Sequence, residues 1–302
     1  MNIYINRRPV EGPWGGGAKY INAMYDVIPK LGHTAVHCNE LSTPLDVAVI
    51  VGLQAESAGI SAEQAYMYKS MMSGQRNVKL ILRVNENDAR KGTKGVDEAL
   101  IEASGFMDGT VFVSNWLMDY FMSRGWECKN NIVIKNGVDP VIFAPRQKLN
   151  NDKINIVAHH WSNNELKGFD IYDKLDKFVG ENPLFTFTYI GRDRRSFSNT
   201  KSVPPLDAEK LGEQLGRYDV YVSASRFDPG PNHISESISA GLPTYVHVDG
   251  GGCVEFAGED HVYRSWEELE SILIGGKFIP NNVRFEEWRP CIEQYVRFIE
   301  SI

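Results

Sequence analysis

Short apolar runs alternate with longer segments whose apolar residues recur at helical spacing, from one end of the chain to the other. Strands are predicted at Asn2–Asn6, Ala35–Cys38, Val47–Gly52, Lys79–Asn85, Val111–Asn115 and Ile132–Asn136. Between them the spacing predicts helices at Ala18–Leu31, Ala62–Met72, Val96–Ala103 and Trp116–Ser123. The strand runs are continuously apolar, as strands covered on both faces require. Such alternation predicts a parallel sheet layered with helices. The pattern then restarts, with strands at Asn155–His160, Phe185–Gly191, Asp219–Ser225, Thr244–Asp249 and His261–Arg264. Helices are predicted at Phe169–Val179, Asp207–Arg217, His233–Ala240 and Trp266–Leu273, and a last one runs from about Arg284 to the end. The polar stretch Pro145–Lys153 reads as the junction between two doubly wound domains. Sheets of this kind hold ligands at the carboxyl ends of their strands, so two of them facing one another would make a cleft.

The totals agree with two globular domains: 302 residues, 42% apolar and 24% charged. A net charge of −7 disfavours a broad nucleic-acid surface but leaves room for a local basic cleft that holds a phosphate. Cys38, Cys128, Cys253 and Cys291 lie far apart, without metal-site spacing, and read as reduced thiols. No apolar run approaches the ~20 residues that span a bilayer, and no charged-then-apolar leader precedes the first strand. The expectation is a soluble cytoplasmic protein, with peripheral membrane contact left open and the oligomeric state unset.

The most informative stretch is a strand–loop–helix unit, Ser225-Arg-Phe-Asp-Pro-Gly-Pro-Asn-His-Ile-Ser-Glu236, closed by Gly241-Leu-Pro243. Asn232 is placed to cap the helix and Gly241 to end it. The N–H groups of Asn232 and His233 would then offer an anion site at the helix start. Asp228 precedes that start and Glu236 lies one turn inside. Two carboxylates repel a bare phosphate, but they suit hydroxyls flanking phosphates, as on a sugar and a ribose. A capped helix with two solvated acids is the competing reading. Gly15-Gly16-Gly17 forms a glycine-rich strand-to-helix turn, without the G-x-G-x-x-G spacing of a dinucleotide fingerprint. Asn85, Glu86 and Asp88 cluster after a strand, where acceptor hydroxyls could bind or where the residues could simply cap a helix. His159-His160 ends a strand, and neighbouring residues there point to opposite faces, against shared metal ligation. Cys253 shows no base partner in sequence and reads as a buried structural thiol.

The unit Asp228-Pro229…Glu236…Gly241-Leu-Pro243, with seven residues between the acids, resembles the signature of the family-four retaining glycosyltransferases of the GT-B fold. Further segments match in order: Leu31-Gly-His33, Val113-Ser-Asn115, Ile134-Lys-Asn-Gly-Val-Asp139 with Phe143-Ala-Pro145, and Lys167-Gly168-Phe-Asp170. The resemblance implies an α/β, GT-B architecture of two Rossmann-like parallel-sheet domains facing a central cleft. Residues 1–145 would form the acceptor side, residues 146–282 would bind the nucleotide sugar, and a helix at 283–302 would return to the first domain. It implies that Glu236 holds the ribose, Asp228 the transferred sugar and Lys167 the diphosphate. Gly15–Gly17 would close over the donor, and Gly251 and Gly252 would lie near its sugar, with Gly230, Asn232 and His233 at the phosphates. The chain departs from the pattern in having Asp228 for Glu, Gly230-Pro231 for Phe-Gly, and Ser162 where an Arg is usual. His160, Arg192 or Arg226 would then supply the missing charge.

The activity implied is front-face transfer of a sugar from a nucleoside-diphosphate donor to a carbohydrate or glycoconjugate hydroxyl, in glycan or lipopolysaccharide assembly. It needs no cofactor, protein nucleophile or metal, and no Asp-x-Asp motif stands on a suitable loop. Rival readings are a GT-B sugar-nucleotide epimerase, a degenerate nucleotide- or glycan-binding module, and a nucleic-acid-modifying transferase using Arg90, Lys91 and Lys94.

Overall fold

The computed structural model describes residues 1–12, 15–36, 44–54 and 59–302. Cys38, and with it the end of the second predicted strand, lies outside the described residues. The chain divides into two compact units: Met1–Glu11, Gly16–Gly137 and Trp288–Ile302 form the first, Gly12–Gly15 and Val138–Glu287 the second.

The first unit contains β1 (Asn2–Ile5), α1 (Gly16–Lys30), β2 (Thr34–Val36), β3 (Val47–Ile50), α2 (Ala62–Met72), β4 (Lys79–Val84), α3 (Asp88–Lys91), α4 (Val96–Ser104), β5 (Gly109–Phe112), α5 (Asn115–Met122) and β6 (Asn131–Val133). Its strands form one six-stranded sheet in the order β2-β1-β3-β4-β5-β6, every pair parallel. The second unit contains β7 (Ile154–His160), α6 (Phe169–Glu181), β8 (Phe185–Gly191), β9 (Lys201–Val203), α7 (Ala208–Leu215), β10 (Val220–Ser223), α8 (Asn232–Ser239), β11 (Thr244–His247), α9 (Gly252–Ala257), β12 (Val262–Tyr263) and α10 (Trp266–Gly275). Its six strands run in the order β12-β11-β10-β7-β8-β9, again all parallel. The strand order reverses between β7 and β10, the switch point where doubly wound sheets bind ligands. α11 (Trp288–Ser301) completes the first unit.

Each sheet is buried on both faces, which is why its strands read as unbroken apolar runs. On β1, Tyr4 points into one core of the first unit and Ile3 and Ile5 into the other. On β7, Ile156 and Ala158 face one core of the second unit, and Val157 the opposite one with Ile234 of α8. α11 buries Cys291, Ile292, Tyr295, Phe298 and Ile299 in the first unit's core, with Tyr295 5.2 Å from Tyr20 of α1. Arg83, at the end of β4, turns inward: it donates to Asn136 Oδ1 at 2.8 Å and lies 4.0 Å from the Tyr20 ring centre.

The polar stretch read as the junction belongs to the second unit. Its backbone donates from Arg146 to Gly216 O (3.2 Å) and from Leu149 to Arg217 O (3.0 Å), and the crossing between units falls at Gly137–Val138. Several strands end earlier than their apolar runs, because the next polar residues leave the ladder to start loops and helices. Ser114, for example, caps α5 by accepting the Leu117 N–H at 3.1 Å. β9, α3 and α9 are too short or too polar to show a period. No helix among the described residues is long and apolar enough to cross a membrane.

Candidate active site in the second unit

The switch point gathers residues from three places. At the end of β7, Asn164 starts a 3-10 turn at Glu165–Lys167 by accepting the Leu166 N–H. Gly168 follows at φ +89°, and a Cβ there would lie 2.2 Å from Ala224 O. Only glycine lets this turn close onto the residue after β10, an approach locked by the Arg226 N–H donating to Leu166 O at 2.8 Å. The turn thereby delivers the buried Lys167 ammonium to Asp228 Oδ2, 2.6 Å away.

The loop carrying Asp228 is itself strained and stitched. Phe227 has φ +54°, a left-handed conformation that costs a non-glycine residue roughly 1–3 kcal/mol. Surrounding hydrogen bonds impose it: Phe227 N–H to Asp249 O (2.8 Å), Asp228 N–H to Gly250 O (3.1 Å) and Gly252 N–H to Asp228 O (2.8 Å). The glycine triplet is therefore explained by backbone crowding. Cβ atoms at Gly251 and Gly252 would lie 3.1 and 2.9 Å from Asp228 backbone atoms. After this contact the chain enters α9 at Gly252.

Pro231, not Asn232, occupies the capping position before α8, and Asn232 is the helix's first residue, contrary to the sequence expectation. Proline before the helix fixes the entry without a donor of its own. Gly241 ends the helix as expected, with φ +78° and its N–H on Ile238 O at 2.9 Å. Gly230 lies in the partly exposed turn before Pro231. On the second turn of α8, the buried Glu236 carboxylate lies 3.0 Å from His159 Nε2. A carboxylate only accepts, so Nε2 carries the hydrogen, and His159 Nδ1 is buried with no partner among the described residues. The strand alternation puts His160 on the other face, where its Nε2 is 2.7 Å from the Tyr172 hydroxyl.

His233 does not turn its side chain outward. Its Nε2 lies 2.8 Å from Ser223 Oγ and 3.9 Å from Cys253 Sγ, so the thiol does face a base. Burial, and after it the Lys167 ammonium, hold His233 well below the usual imidazole range, leaving the ring neutral. Of the candidates for the missing positive charge, Arg226 is engaged by Asp170 in a two-pronged ion pair at 2.8 and 2.7 Å. Arg192 stacks its guanidinium 4.1 Å over the Trp161 ring at the ends of β8 and β7.

The remaining candidates belong to the first unit, apart from Gly15. Gly16 and Gly17 open α1, and Gly15 is grouped with the second unit. Asp88 is a structural acid. One oxygen accepts the Thr93 hydroxyl (2.6 Å) and the other the Asp97 N–H (3.0 Å). Burial works against its charge, but these hydrogen bonds prevail and hold the carboxyl below its usual range. Glu86 forms a partly exposed ion pair with Lys91. Asn85 lies beside Gly17, its Nδ2 3.8 Å from where a Cβ there would stand. Sequence reasoning missed His159 as the partner of Glu236. The period of two already places it on the same face as Val157, toward α8.

No protein-family model matches the sequence, and no curated protein matches it. Solved structures do match in shape. Sucrose-phosphate synthase from Thermosynechococcus elongatus superposes with a TM-score of 0.73 at 12% identity, covering 100% of this chain and 98% of that one. Anabaena Alr3699/HepE, in complex with UDP and glucose, gives 0.70 at 11% identity over 99% of each chain. The pneumococcal O-GlcNAc transferase GtfA, in complex with UDP and GlcNAc, gives 0.62 at 9% identity over 94% of this chain and 60% of its own. At these identities the likeness defines the fold: two six-stranded parallel sheets in Rossmann-like units, the GT-B architecture of glycosyltransferases.

Proposed function

We propose that the chain is a retaining glycosyltransferase. It takes a hexosyl or related sugar from a nucleoside-diphosphate donor and places it on a carbohydrate or glycoconjugate hydroxyl, in glycan or lipopolysaccharide assembly in the cytoplasm. The observation that carries this reading is the convergence of Lys167, Asp228 and Glu236 at the switch point, all buried and all within the electrostatic reach of His233. Two carboxylates and one ammonium suit a ligand that alternates hydroxyls with phosphates. The GT-B fold and the UDP found with HepE and GtfA support a uridine diphosphate sugar as the first donor to try.

In this reading Glu236 accepts from the ribose hydroxyls, held in place by His159. Lys167 leaves Asp228 for the diphosphate, and Asp228 is released to accept from hydroxyls of the transferred sugar. The bond from the anomeric carbon to the diphosphate breaks as the acceptor oxygen attacks the same face. The departing phosphate oxygen takes the acceptor proton, and the fixed ammonium beside it offsets the charge that develops. No metal is needed for this step. Gly16 and Gly17 close over the donor, and the first unit, with Asn85, serves the acceptor side.

The test is incubation with a panel of nucleoside-diphosphate sugars and glycan acceptors, with the new anomeric centre assigned by NMR. An axial donor linkage carried into an axial product supports the reading. Inversion, or release of an epimerised sugar without acceptor, overturns it.

A further inference from the structure

We propose that Asp228, His233 and Cys253 form a binding site for a thiophilic divalent cation of the zinc type. A carboxylate oxygen, the His233 ring nitrogen and the Cys253 sulfur lie within 4.8 Å of one another, and all three residues are buried. The nitrogen–sulfur distance is 3.9 Å. With ordinary zinc bonds to sulfur and nitrogen, a tetrahedral ion holds such a pair about 3.5 Å apart. That pair therefore needs to contract by a few tenths of an ångström, and the carboxylate oxygen closes in from within 4.8 Å of both. A mixed sulfur, nitrogen and oxygen donor set suits zinc or cobalt and not magnesium or calcium, which take oxygen ligands.

The backbone holds the ligands together before any ion arrives. Asp228 and Cys253 both donate their N–H groups to Gly250 O, at 3.1 and 3.3 Å, and Gly252 donates to Asp228 O. Ile234, next to His233, donates to Pro231 O at 3.0 Å. The three ligands thus sit on segments already fixed to one another, so binding orders little chain. On binding, the thiol loses its proton to solvent and the thiolate sulfur bonds the metal. Ser223 Oγ gives up its contact with the His233 nitrogen. Three protein ligands leave a fourth position for water.

The Lys167 ammonium on Asp228 is a built-in charged competitor. Its repulsion, and its hold on an oxygen, oppose the ion. That makes a diagnostic variant: Lys167→Met tightens metal binding by about tenfold or more, whereas a surface site elsewhere would not respond. The site shares Asp228 with the transferase reading, but occupancy is read from a spectrum and not from turnover, so either can fail without the other.

The experiment is titration of the full chain with Co²⁺ under reducing conditions. The expected result is a near-ultraviolet thiolate-to-cobalt band that saturates at a single equivalent and is displaced by Zn²⁺. The band disappears in Cys253→Ser and persists in Cys38→Ser, Cys128→Ser and Cys291→Ser. Absence of the band, or its survival in Cys253→Ser, overturns the site. Should Cys253→Ser not fold, X-ray absorption of the zinc-loaded wild type decides: a sulfur scatterer in the first shell supports the proposal, and a shell of nitrogen and oxygen alone ends it.

Discussion

Lys167 and Asp228 form a buried ion pair, 2.6 Å between Nζ and Oδ2, with side-chain exposures of 8% and 5%. Burying both charges has a desolvation cost that their attraction roughly offsets, while removing one partner strands the other. Lys167→Met is therefore expected to cost about 3–5 kcal/mol of stability, and Lys167→Met/Asp228→Asn to recover most of it. A domain with ~5–15 kcal/mol to lose stays folded in the single variant at room temperature. Urea unfolding of the two singles and the double closes the cycle. Additive losses would show that the pair is not coupled. Transfer should stay lost in the double variant, which separates the chemical role from the structural one.

Two glycines make opposite predictions. At Gly168 an added methyl meets the Ala224 carbonyl at 2.2 Å on a left-handed backbone. Gly168→Ala should cost roughly 2–5 kcal/mol from combined crowding and strain, and should weaken nucleotide binding because the Lys167 turn no longer closes. At Gly17 the nearest atom is 3.8 Å away in the second position of α1. Gly17→Ala should leave stability unchanged or raise it by up to ~1 kcal/mol, alanine being the better helix former. Thermal melts check both. A fall in transfer without a fall in stability at Gly17 would point to a role in closing over substrate.

How much of this was legible beforehand depended on range. The restart of strand–helix alternation near residue 155 reads directly as a second sheet, because buried parallel strands must be apolar throughout. The acids before and within α8, Asp228 and Glu236, and the lysine before Gly168 were readable as a constellation, since their spacing is local or carried by an ordered set of short motifs. Partners across the fold were not. Nothing near Glu236 in sequence announces His159, and nothing near Cys253 announces His233. Asp88 could be read from sequence either as a ligand or as a cap, and its partners, Thr93 and the Asp97 N–H, belong to a cap between two short helices that show no period. Pro145–Lys153 read as a linker because it is polar, although its backbone hydrogen bonds tie it to the second unit.

His247 sets a pH dependence. Burial first, and then the Arg226 guanidinium, push its imidazole below the ordinary value of 6.5. A depressed folded value means that the unfolded chain takes up a proton as pH falls through about 6.5 while the folded chain does not. The contribution is fully present above that value and is lost as pH falls through the folded one. His247→Gln should therefore flatten the decline of stability below pH ~6.5 relative to the wild type. Urea midpoints across pH 5–8 at fixed ionic strength measure it. Parallel curves for the two proteins would refute the assignment.

Glu236 and His159 should behave as one unit toward a nucleoside diphosphate. The carboxylate is fixed by the 3.0 Å contact with His159 Nε2, and a hydrogen bond to a charged group contributes about 1.5–3 kcal/mol. Glu236→Gln is thus expected to weaken nucleotide binding by about 10- to 100-fold while keeping the shape of the side chain. His159→Leu should weaken it less, because the carboxylate survives but is free to rotate. If His159 acts only by orienting Glu236, then His159→Leu placed on top of Glu236→Gln adds almost nothing. Calorimetric titration of the four proteins with UDP decides this. Full additivity would mean that His159 meets the nucleotide directly, with its unpartnered Nδ1 as the contacting atom.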